Sequence, residues 1–389
     1  MLRTTIRPLV GHTRRSPEGS VSRMPEWLLK GDASGSFDLN DIEAVRLILR
    51  GGSVVDWARL NLRDADEVAS FLLVNGFDVT VPDDQARLRS LLKKAVAYLE
   101  ANFNYHFPEG LRSPSSIEAL LLTASRDDEY QKLACVILKV MHVVNHVDAQ
   151  QLRFRLAVPE GQLFQMAVAR VDQTVAAMRS LGAPIILYEA NRKARDSLIT
   201  KLLSKKTNFA AQVYDRLRFR LVTAEESDIV PVLSYLKDNL FPYNYVVPGQ
   251  SRNQIINTSA LLEAVPSWAS DDPGLGARHL YEDADGTGDD PNGFSGSTFR
   301  MINFVVELPL RIRELVPRDN PVLVELGTLV YIQVEFQIFD QTTWKGNEVG
   351  DNNHEMYKVR QHWEVVRRLV HGSRFDQGSD ATWEGKTRW

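Results

Sequence analysis

Cysteine is almost absent from this chain of 389 residues, since Cys135 is the only one. No internal disulfide can form, and Cys135 lies in an apolar run, so the sequence fits a reducing, intracellular setting. Long apolar runs are also absent: no stretch approaches the roughly 18 consecutive apolar residues that a membrane-spanning helix needs. We therefore expect a cytoplasmic protein without a membrane partner.

Neither sign of charge dominates. The 46 basic and 50 acidic side chains give a net charge of −4, which argues against a general nucleic-acid binder but allows a local basic patch. Hydrophobic residues make up 44% of the chain, enough for a sizeable core, and this excludes a disordered scaffold. At about 150 residues per domain, the length predicts two or three domains.

Changes in composition divide the chain into four segments. A basic leader over 1–23 is interpreted as loose, in preference to a transit peptide. A helical domain over 24–182 is followed by an α+β domain over 183–371 and a polar tail over 372–389. The α+β domain contains an acidic, turn-rich insertion over 248–292, which is too long to be an ordinary connection.

The first half has helical periodicity and clear helix ends. Helices are predicted after Asp64, from Pro82, after Ser116 and from Pro159, and the last of them ends at Gly182. The second half mixes both patterns. Helices are predicted over 191–205, 229–240 and 355–369, with strands over 214–223, 300–308 and 330–339. This order favours an α+β fold with helices on one side of the sheet.

A basic stripe opens the second half. Lys193, Ser197, Lys201 and Lys205 are each four residues apart, so a continuous helix would place them along one face. Arg195 adds charge near the predicted helix start, where free N–H groups also favour anions. Such a face could hold a polyphosphate. The alternative is the solvated face of an ordinary amphipathic helix.

Two strands each carry a carboxylate in an unusual place. Asp215 heads a strand on the same side as its apolar residues, and Glu335 lies in a strand that also contains Gln337. Two such carboxylates, if adjacent in space, can hold Mg²⁺ against substrate phosphates. The alternative is that Glu335 and Gln337 simply face water.

In this order the motifs resemble the synthetase domain of the RelA/SpoT alarmone synthetases, a nucleotidyltransferase-like fold. The matching elements are Lys-x3-Ser-x3-Lys at 193–201, Asp-x4-Arg at 215–220, Gly-Phe at 293–294 and Val-Glu-x-Gln-Ile at 334–338. His354, Glu355 and Tyr357 are similar to the helix start that follows the last strand in that family. The resemblance covers about 185 residues, so the chain looks like a divergent member with an added helical N-terminal domain.

The resemblance implies an activity and a set of roles. ATP would donate pyrophosphate to the ribose 3′-hydroxyl of a guanine nucleotide, giving (p)ppGpp, or of a tRNA end. Mg²⁺ would be held by Asp215 and Glu335, and Glu335 would accept the hydroxyl proton. Homo-oligomerisation stays open. The implied nucleotide-binding residues are Lys193, Arg195, Ser197, Lys201, Lys205, Arg220, Phe294 and Gln337, with Phe294 stacking on the acceptor base.

Departures from the family pattern leave two alternatives open. Phe339 stands where the family has arginine, the segment 293–298 lacks a histidine, and 243–246 lacks a lysine. These changes concern the acceptor side. The first alternative is a catalytically inactive module that binds a nucleotide or alarmone for regulation. The second is a structural or partner-binding protein.

Other signals do not indicate an active site. His142 and His146 lie four residues apart in an apolar helix, and we interpret them as structural rather than metal-binding. The sequence contains no His-Asp dipeptide, so the metal-dependent hydrolase that accompanies many alarmone synthetases is not expected. No Walker A motif occurs.

Overall fold

The computed structural model describes residues 39–56, 60–126, 128–204, 216–257, 299–317, 319–348 and 354–370. The strands are β1 (Ile185–Arg192), β2 (Leu217–Thr223), β3 (Arg252–Asn253), β4 (Ile302–Arg311) and β5 (Leu329–Asp340). The helices are α1 (Leu39–Arg50), α2 (Ala65–Val74), α3 (Pro82–Phe103), α4 (Glu109–Arg112), α5 (Ile117–Ser125), α6 (Gln131–Leu156), α7 (Glu160–Leu181), α8 (Arg195–Ser204), α9 (Ile229–Asn239), α10 (Pro321–Leu326), α11 (Gln341–Asn347) and α12 (His354–Val370). Within these ranges, no helix combines the length and apolar character needed to cross a bilayer.

The ends of the N-terminal helices follow from local capping chemistry. The Asp64 side chain accepts a hydrogen bond from the backbone N–H of Glu67, and the Ser116 side chain accepts one from Ala119. Each supplies an acceptor that the first helical turn lacks. Gly182 ends α7 at a φ of +99°, a conformation that suits glycine. These predicted boundaries are confirmed.

The strands form one mixed five-stranded sheet in the order β1-β2-β5-β4-β3. β2 and β5 pair in parallel, whereas the other neighbours pair in antiparallel orientation. The helices flank this sheet, so the predicted α+β class with an all-helical N-terminal region and a mixed sheet is confirmed.

One face of the sheet packs on helices through a cluster of phenylalanine rings. The Phe336 ring centroid lies 5.4 Å from Phe219, 5.3 Å from Phe241 and 5.4 Å from Phe304, and all four side chains are fully buried. Helices α1, α7 and α9 contribute to the same core. The N-terminal helices α1 and α7 therefore share a core with the sheet.

The opposite face of the sheet is also covered at one end, by α6. The rings of His146 and Tyr331 stack with centroids 4.0 Å apart, and Asn145 donates to the Tyr331 hydroxyl at 2.6 Å. Tyr331 alternates along β5 with Val330 and Ile332, which belong to the phenylalanine-rich core. The prediction of helices on one side of the sheet is therefore wrong at this end.

Strand β1 is missing from the sequence-based prediction. Asn191 and Arg192, predicted as the start of a helix, instead end β1, and α8 begins at Arg195. Among the described strands, β1 pairs only with β2, and its register is irregular between Ile185 and Leu187. An edge strand of this kind has no clean alternation of buried and exposed residues, so its pattern is weak.

Candidate functional site

Polar side chains cover the middle of the sheet face opposite the phenylalanine core. Arg218 and Arg220 alternate with the buried Leu217 and Phe219 of β2, as predicted. The strand register then adds neighbours from β1, β5 and β4. We call this surface the polar face; its members are Glu189, Asn191, Arg218, Arg220, Asn303, Glu335 and Gln337.

Glu335 is the buried carboxylate of the polar face. It lies at the same register as Arg218, and Arg218 Nε donates to Glu335 Oε2 at 2.6 Å. The Glu335 side chain is 9% exposed and that of Arg218 is 28% exposed. Burying a carboxylate is costly unless it is paired, and this ion pair meets that requirement. Gln337 is buried as well, so the alternative in which both side chains face water is wrong.

Arg220 lies two residues after Arg218 in β2, on the polar face, and pairs with Gln337 in the register. Its Nη1 lies 3.3 Å from Glu189 Oε2, and its guanidinium carbon lies 5.9 Å from the centre of the Phe339 ring. Phe339 is buried, and its ring lies beside the Arg220 guanidinium on the same face of the sheet.

Two buried polar atoms on this face have no hydrogen-bond partner within the described part of the chain. They are Arg220 Nε, a donor, and Asn303 Oδ1, an acceptor. Both residues neighbour Gln337 in the register, one on each side. An orphaned buried polar atom costs about 1–3 kcal/mol, and a polar ligand on this face would satisfy both atoms.

The basic segment, residues 193–205, follows the end of β1 at which Asn191 pairs with Arg218. The backbone N–H of Lys193 donates to the carbonyl of Arg216 at 3.0 Å, and that of Leu198 donates to Ala194 at 3.1 Å. Lys193 therefore precedes α8, and the prediction that it shares a helical face with Ser197 and Lys201 is wrong. The reason is that the β1–β2 ladder extends as far as Lys193.

The helical part of this segment, α8, begins at Arg195, three residues after the end of β1 at Arg192. Arg195 and Ser197 lie exposed in the first turn of α8, and Lys201 lies half-buried one turn further on. The first-turn N–H groups of a helix favour anions, and Arg195 adds positive charge at the same end. The last turn of α8 packs on α12, where Gln361 Nε2 donates to Ser204 Oγ at 3.2 Å.

Three of the predicted site residues lie outside the described residues: Lys205, Asp215 and Phe294. So do the leader over 1–23, most of the acidic insertion and the polar tail. α12 begins at His354, as predicted, but the side chains of His354, Glu355 and Tyr357 are not among those described.

The segment around Tyr245 is occupied by structural contacts. The Tyr245 hydroxyl donates to the carbonyl of Asn75 at 3.0 Å and lies 3.2 Å from the Tyr331 hydroxyl. Asn244 Nδ2 lies 3.1 Å from His142 Nδ1. Asn244 and Tyr245 thus join the sheet to α6 and to Asn75 at the end of α2.

Both histidines of α6 have partners in the same junction, as predicted for structural residues. His142 contacts Asn244, and His146 Nδ1 lies 2.7 Å from Glu307 Oε2. Burial, with a smaller contribution from His146, holds the pKa of His142 well below its usual 6.5. Burial opposes ionisation of Glu307, but the hydrogen bond and electrostatic attraction to His146 and the bond from Gln333 together outweigh it, and the pKa of Glu307 is lowered.

The donor set on the polar face fits a divalent cation that is held jointly with a substrate. Mg²⁺ in nucleotide enzymes commonly takes one or two carboxylates, with phosphate oxygens and water completing the shell. Glu335 supplies one buried carboxylate of this kind. Across the described ranges, no three side chains of His, Cys, Asp or Glu lie close enough together to hold a metal ion.

The sequence did not reveal Arg218, Glu189 and Asn303 as members of the site. The alternation of arginines in β2 indicated that Arg218 faces away from the core. Its pairing with Glu335 depends on the parallel register between strands 117 residues apart, which local patterns do not encode.

Comparisons with known proteins come from structure alone, because no family model and no curated protein matches this sequence. Small alarmone synthetase 1 from Bacillus subtilis is 14% identical, covers 53% of this chain and 86% of its own, and gives a TM-score of 0.29. The same synthetase bound to its product pppGpp is 16% identical over 57% and 88%, with a TM-score of 0.27. A GTP pyrophosphokinase family protein from Streptococcus pneumoniae is 13% identical over 55% and 88%, with a TM-score of 0.28. These are proteins of the kind that the sequence motifs resemble. At such identities and TM-scores, residue roles rest on the geometry of this chain.

Proposed function

We propose that the protein transfers pyrophosphate from ATP to a ribose 3′-hydroxyl, with Mg²⁺ as cofactor. The observation that carries this proposal is the buried Glu335 carboxylate, which lies on a polar sheet face together with Arg218 and Arg220. Phosphoryl-transfer enzymes work mainly by positioning and by neutralising charge. A recessed carboxylate beside two guanidinium groups and a basic helix start provides both.

The donor side is assigned to the basic segment and β2. Lys193, just before α8, would bind the ATP phosphates together with Arg195, Ser197 and Lys201 in α8, and Lys205 would extend this surface. Arg220, whose Nε is buried without a partner among the described residues, would take a phosphate oxygen.

The chemical step is an attack of the ribose 3′-oxygen on the β-phosphorus of ATP. A bond forms between that oxygen and the β-phosphorus, the bond from the β-phosphorus to the bridging oxygen of AMP breaks, and AMP leaves. Glu335 would accept the hydroxyl proton, and Asp215 would join it in holding the cation. Mg²⁺ supplies charge neutralisation on the phosphate oxygens.

The acceptor is assigned to the β5 and β4 side of the polar face. Gln337, between the orphaned atoms of Arg220 and Asn303, can donate and accept hydrogen bonds to a nucleotide. Phe294 would stack on its base. We propose a guanine nucleotide or a tRNA 3′ end as acceptor, in a reducing cytoplasm that suits the single buried thiol of Cys135.

A second candidate is a catalytically inactive module that binds a nucleotide or alarmone. The ion pair between Arg218 and Glu335 favours it, because the carboxylate that should bind Mg²⁺ already has a cationic partner. This module would keep the anion-binding groups and lose turnover.

The experiment is incubation of the purified protein with Mg²⁺ and ATP labelled on the β- and γ-phosphates. GDP, GTP and bulk tRNA are supplied separately, and AMP release is followed in parallel. Transfer of both labelled phosphates to one acceptor, with equimolar AMP, supports the transferase and names its substrate. Nucleotide binding without AMP release favours the inactive module.

A further inference from the structure

The guanidinium group of Arg218 is bonded to Glu335, the carboxylate that the proposed reaction requires. Arg218 and Glu335 are register neighbours in the central parallel strand pair, so their side chains leave the same face at adjacent positions. The bond from Arg218 Nε to Glu335 Oε2 is 2.6 Å long. A guanidinium does not lose its proton in a protein, so raising the pH does not remove the positive charge from this pair.

A divalent cation that binds Glu335 would meet this guanidinium directly. Mg²⁺ binds carboxylate oxygens at about 2.1 Å, which is closer than the guanidinium nitrogen approaches. The Glu335 side chain is 9% exposed, so solvent screens the repulsion between the two cations poorly. Free Mg²⁺ therefore competes with Arg218 for one buried carboxylate.

A polyphosphate changes this competition. Phosphate oxygens are strong, often bidentate partners for guanidinium groups. Arg220 lies two residues from Arg218 on the same side of β2, and its Nε is buried without a partner in the described chain. A phosphate group that engages Arg220 is within reach of Arg218, whose side chain is 28% exposed and attached to a long stem.

We propose that Arg218 makes metal binding at Glu335 conditional on a bound polyphosphate. Without nucleotide, Arg218 occupies the carboxylate; with nucleotide, it turns to the phosphates and leaves Glu335 to the metal. Arg218 is thus a positioning residue that couples two ligands, and the coupling is reciprocal. This inference rests on the proposed function.

Binding of Mn²⁺, measured by electron paramagnetic resonance, tests this coupling without requiring turnover. The probe is Mn²⁺ alone and then Mn²⁺ with α,β-methylene-ATP, in which the bond broken by pyrophosphate transfer is blocked. We expect the analogue to tighten Mn²⁺ binding to the natural protein by about tenfold or more. Arg218→Gln is expected to bind Mn²⁺ about tenfold more tightly than the natural protein without any nucleotide.

Three further variants make the test specific. Arg216→Gln removes a neighbouring arginine that pairs with Glu160 instead, and it should behave like the natural protein. Arg218→Lys keeps the charge and should retain the coupling. Thermal unfolding of Arg218→Gln shows whether that variant is folded. Glu335→Gln should lose the Mn²⁺ site in both states.

Two outcomes would overturn the inference and are distinguishable. In the first outcome, the natural protein and Arg218→Gln bind Mn²⁺ equally without nucleotide, and Glu335→Gln does not bind it. This result rejects the role of Arg218 but keeps the metal site. In the second outcome, Glu335→Gln changes Mn²⁺ binding in neither state, even with the analogue. This result rejects both the metal site of the proposed function and the role of Arg218.

Discussion

Replacing Arg311 by alanine should destabilise the protein, because this side chain ties the sheet to the N-terminal helices. Arg311, at the end of β4, donates to Asp84 Oδ1 at 3.1 Å and to the carbonyl of Gly76 at 2.6 Å, and it also bonds Asp84 Oδ2. The Asp84 side chain is 8% exposed and that of Arg311 is 36% exposed. Removing Arg311 leaves a buried carboxylate that keeps its bond from the backbone N–H of Asp78 but has no cationic partner among the described residues.

The magnitude follows from the burial of each partner. Breaking a fully buried ion pair costs about 3–5 kcal/mol. Because water reaches about a third of Arg311, we expect Arg311→Ala to lower the free energy of unfolding by about 2–3 kcal/mol. The matched control is Arg313→Ala, since Arg313 pairs with the exposed Asp83, whose side chain is 66% exposed. That change should cost about 0–1 kcal/mol.

Urea unfolding followed by tryptophan fluorescence and by far-ultraviolet circular dichroism measures both variants. The two signals should change together, because the N-terminal helices and the sheet share contacts. A cost for Arg311→Ala no larger than that for Arg313→Ala would refute the reasoning that the Asp84 pair is a buried tie.

Two further predictions concern the helix junction and the sheet core. Burial holds the pKa of His142 well below its usual value. As the pH falls below about 6.5, the unfolded state therefore takes up a proton at this residue before the folded state does. The free energy of unfolding then decreases, whereas above about pH 6.5 this residue does not lower it. His142→Gln should flatten this pH dependence, measured by urea unfolding at about pH 7 and about pH 5, whereas a change at the exposed His106 should not. An unchanged slope in His142→Gln would contradict the account. Phe336→Ala should cost about 3–5 kcal/mol and Phe336→Leu less than about 1.5 kcal/mol, and similar costs for the two would show that the phenylalanine cluster is not tightly packed.

Much of the fold can be predicted because helix ends and strand alternation are local properties. Asp64 and Ser116 cap helices through their own side chains, and Leu217 and Phe219 alternate with arginines in β2. Strand β1 escaped prediction because it is an edge strand whose burial is irregular. The packing of α6 against Tyr331 joins residues 186 positions apart in the chain, and no local pattern indicates it.

The candidate site divides in the same way. Glu335, Gln337 and Arg220 were predicted and lie together on the polar face, since motif spacing within a strand fixes which side a residue faces. Lys193 was predicted on α8 but belongs to the end of the β1–β2 ladder. The ion pair between Arg218 and Glu335 depends on the register of β2 and β5, because the register decides which side chains of the two strands are neighbours.

Comparison of Glu335→Gln with Glu307→Gln in the labelled-ATP assay tests the central claim most directly. Both changes remove one carboxylate from the same sheet face with little change in shape, but Glu307 pairs with His146 in the α6 junction. The account predicts that the natural protein and Glu307→Gln release AMP and label an acceptor, and that Glu335→Gln is slower by about 10²–10⁴-fold while remaining folded. Transfer by Glu335→Gln at the natural rate, or no transfer by the natural protein to any acceptor, would contradict it.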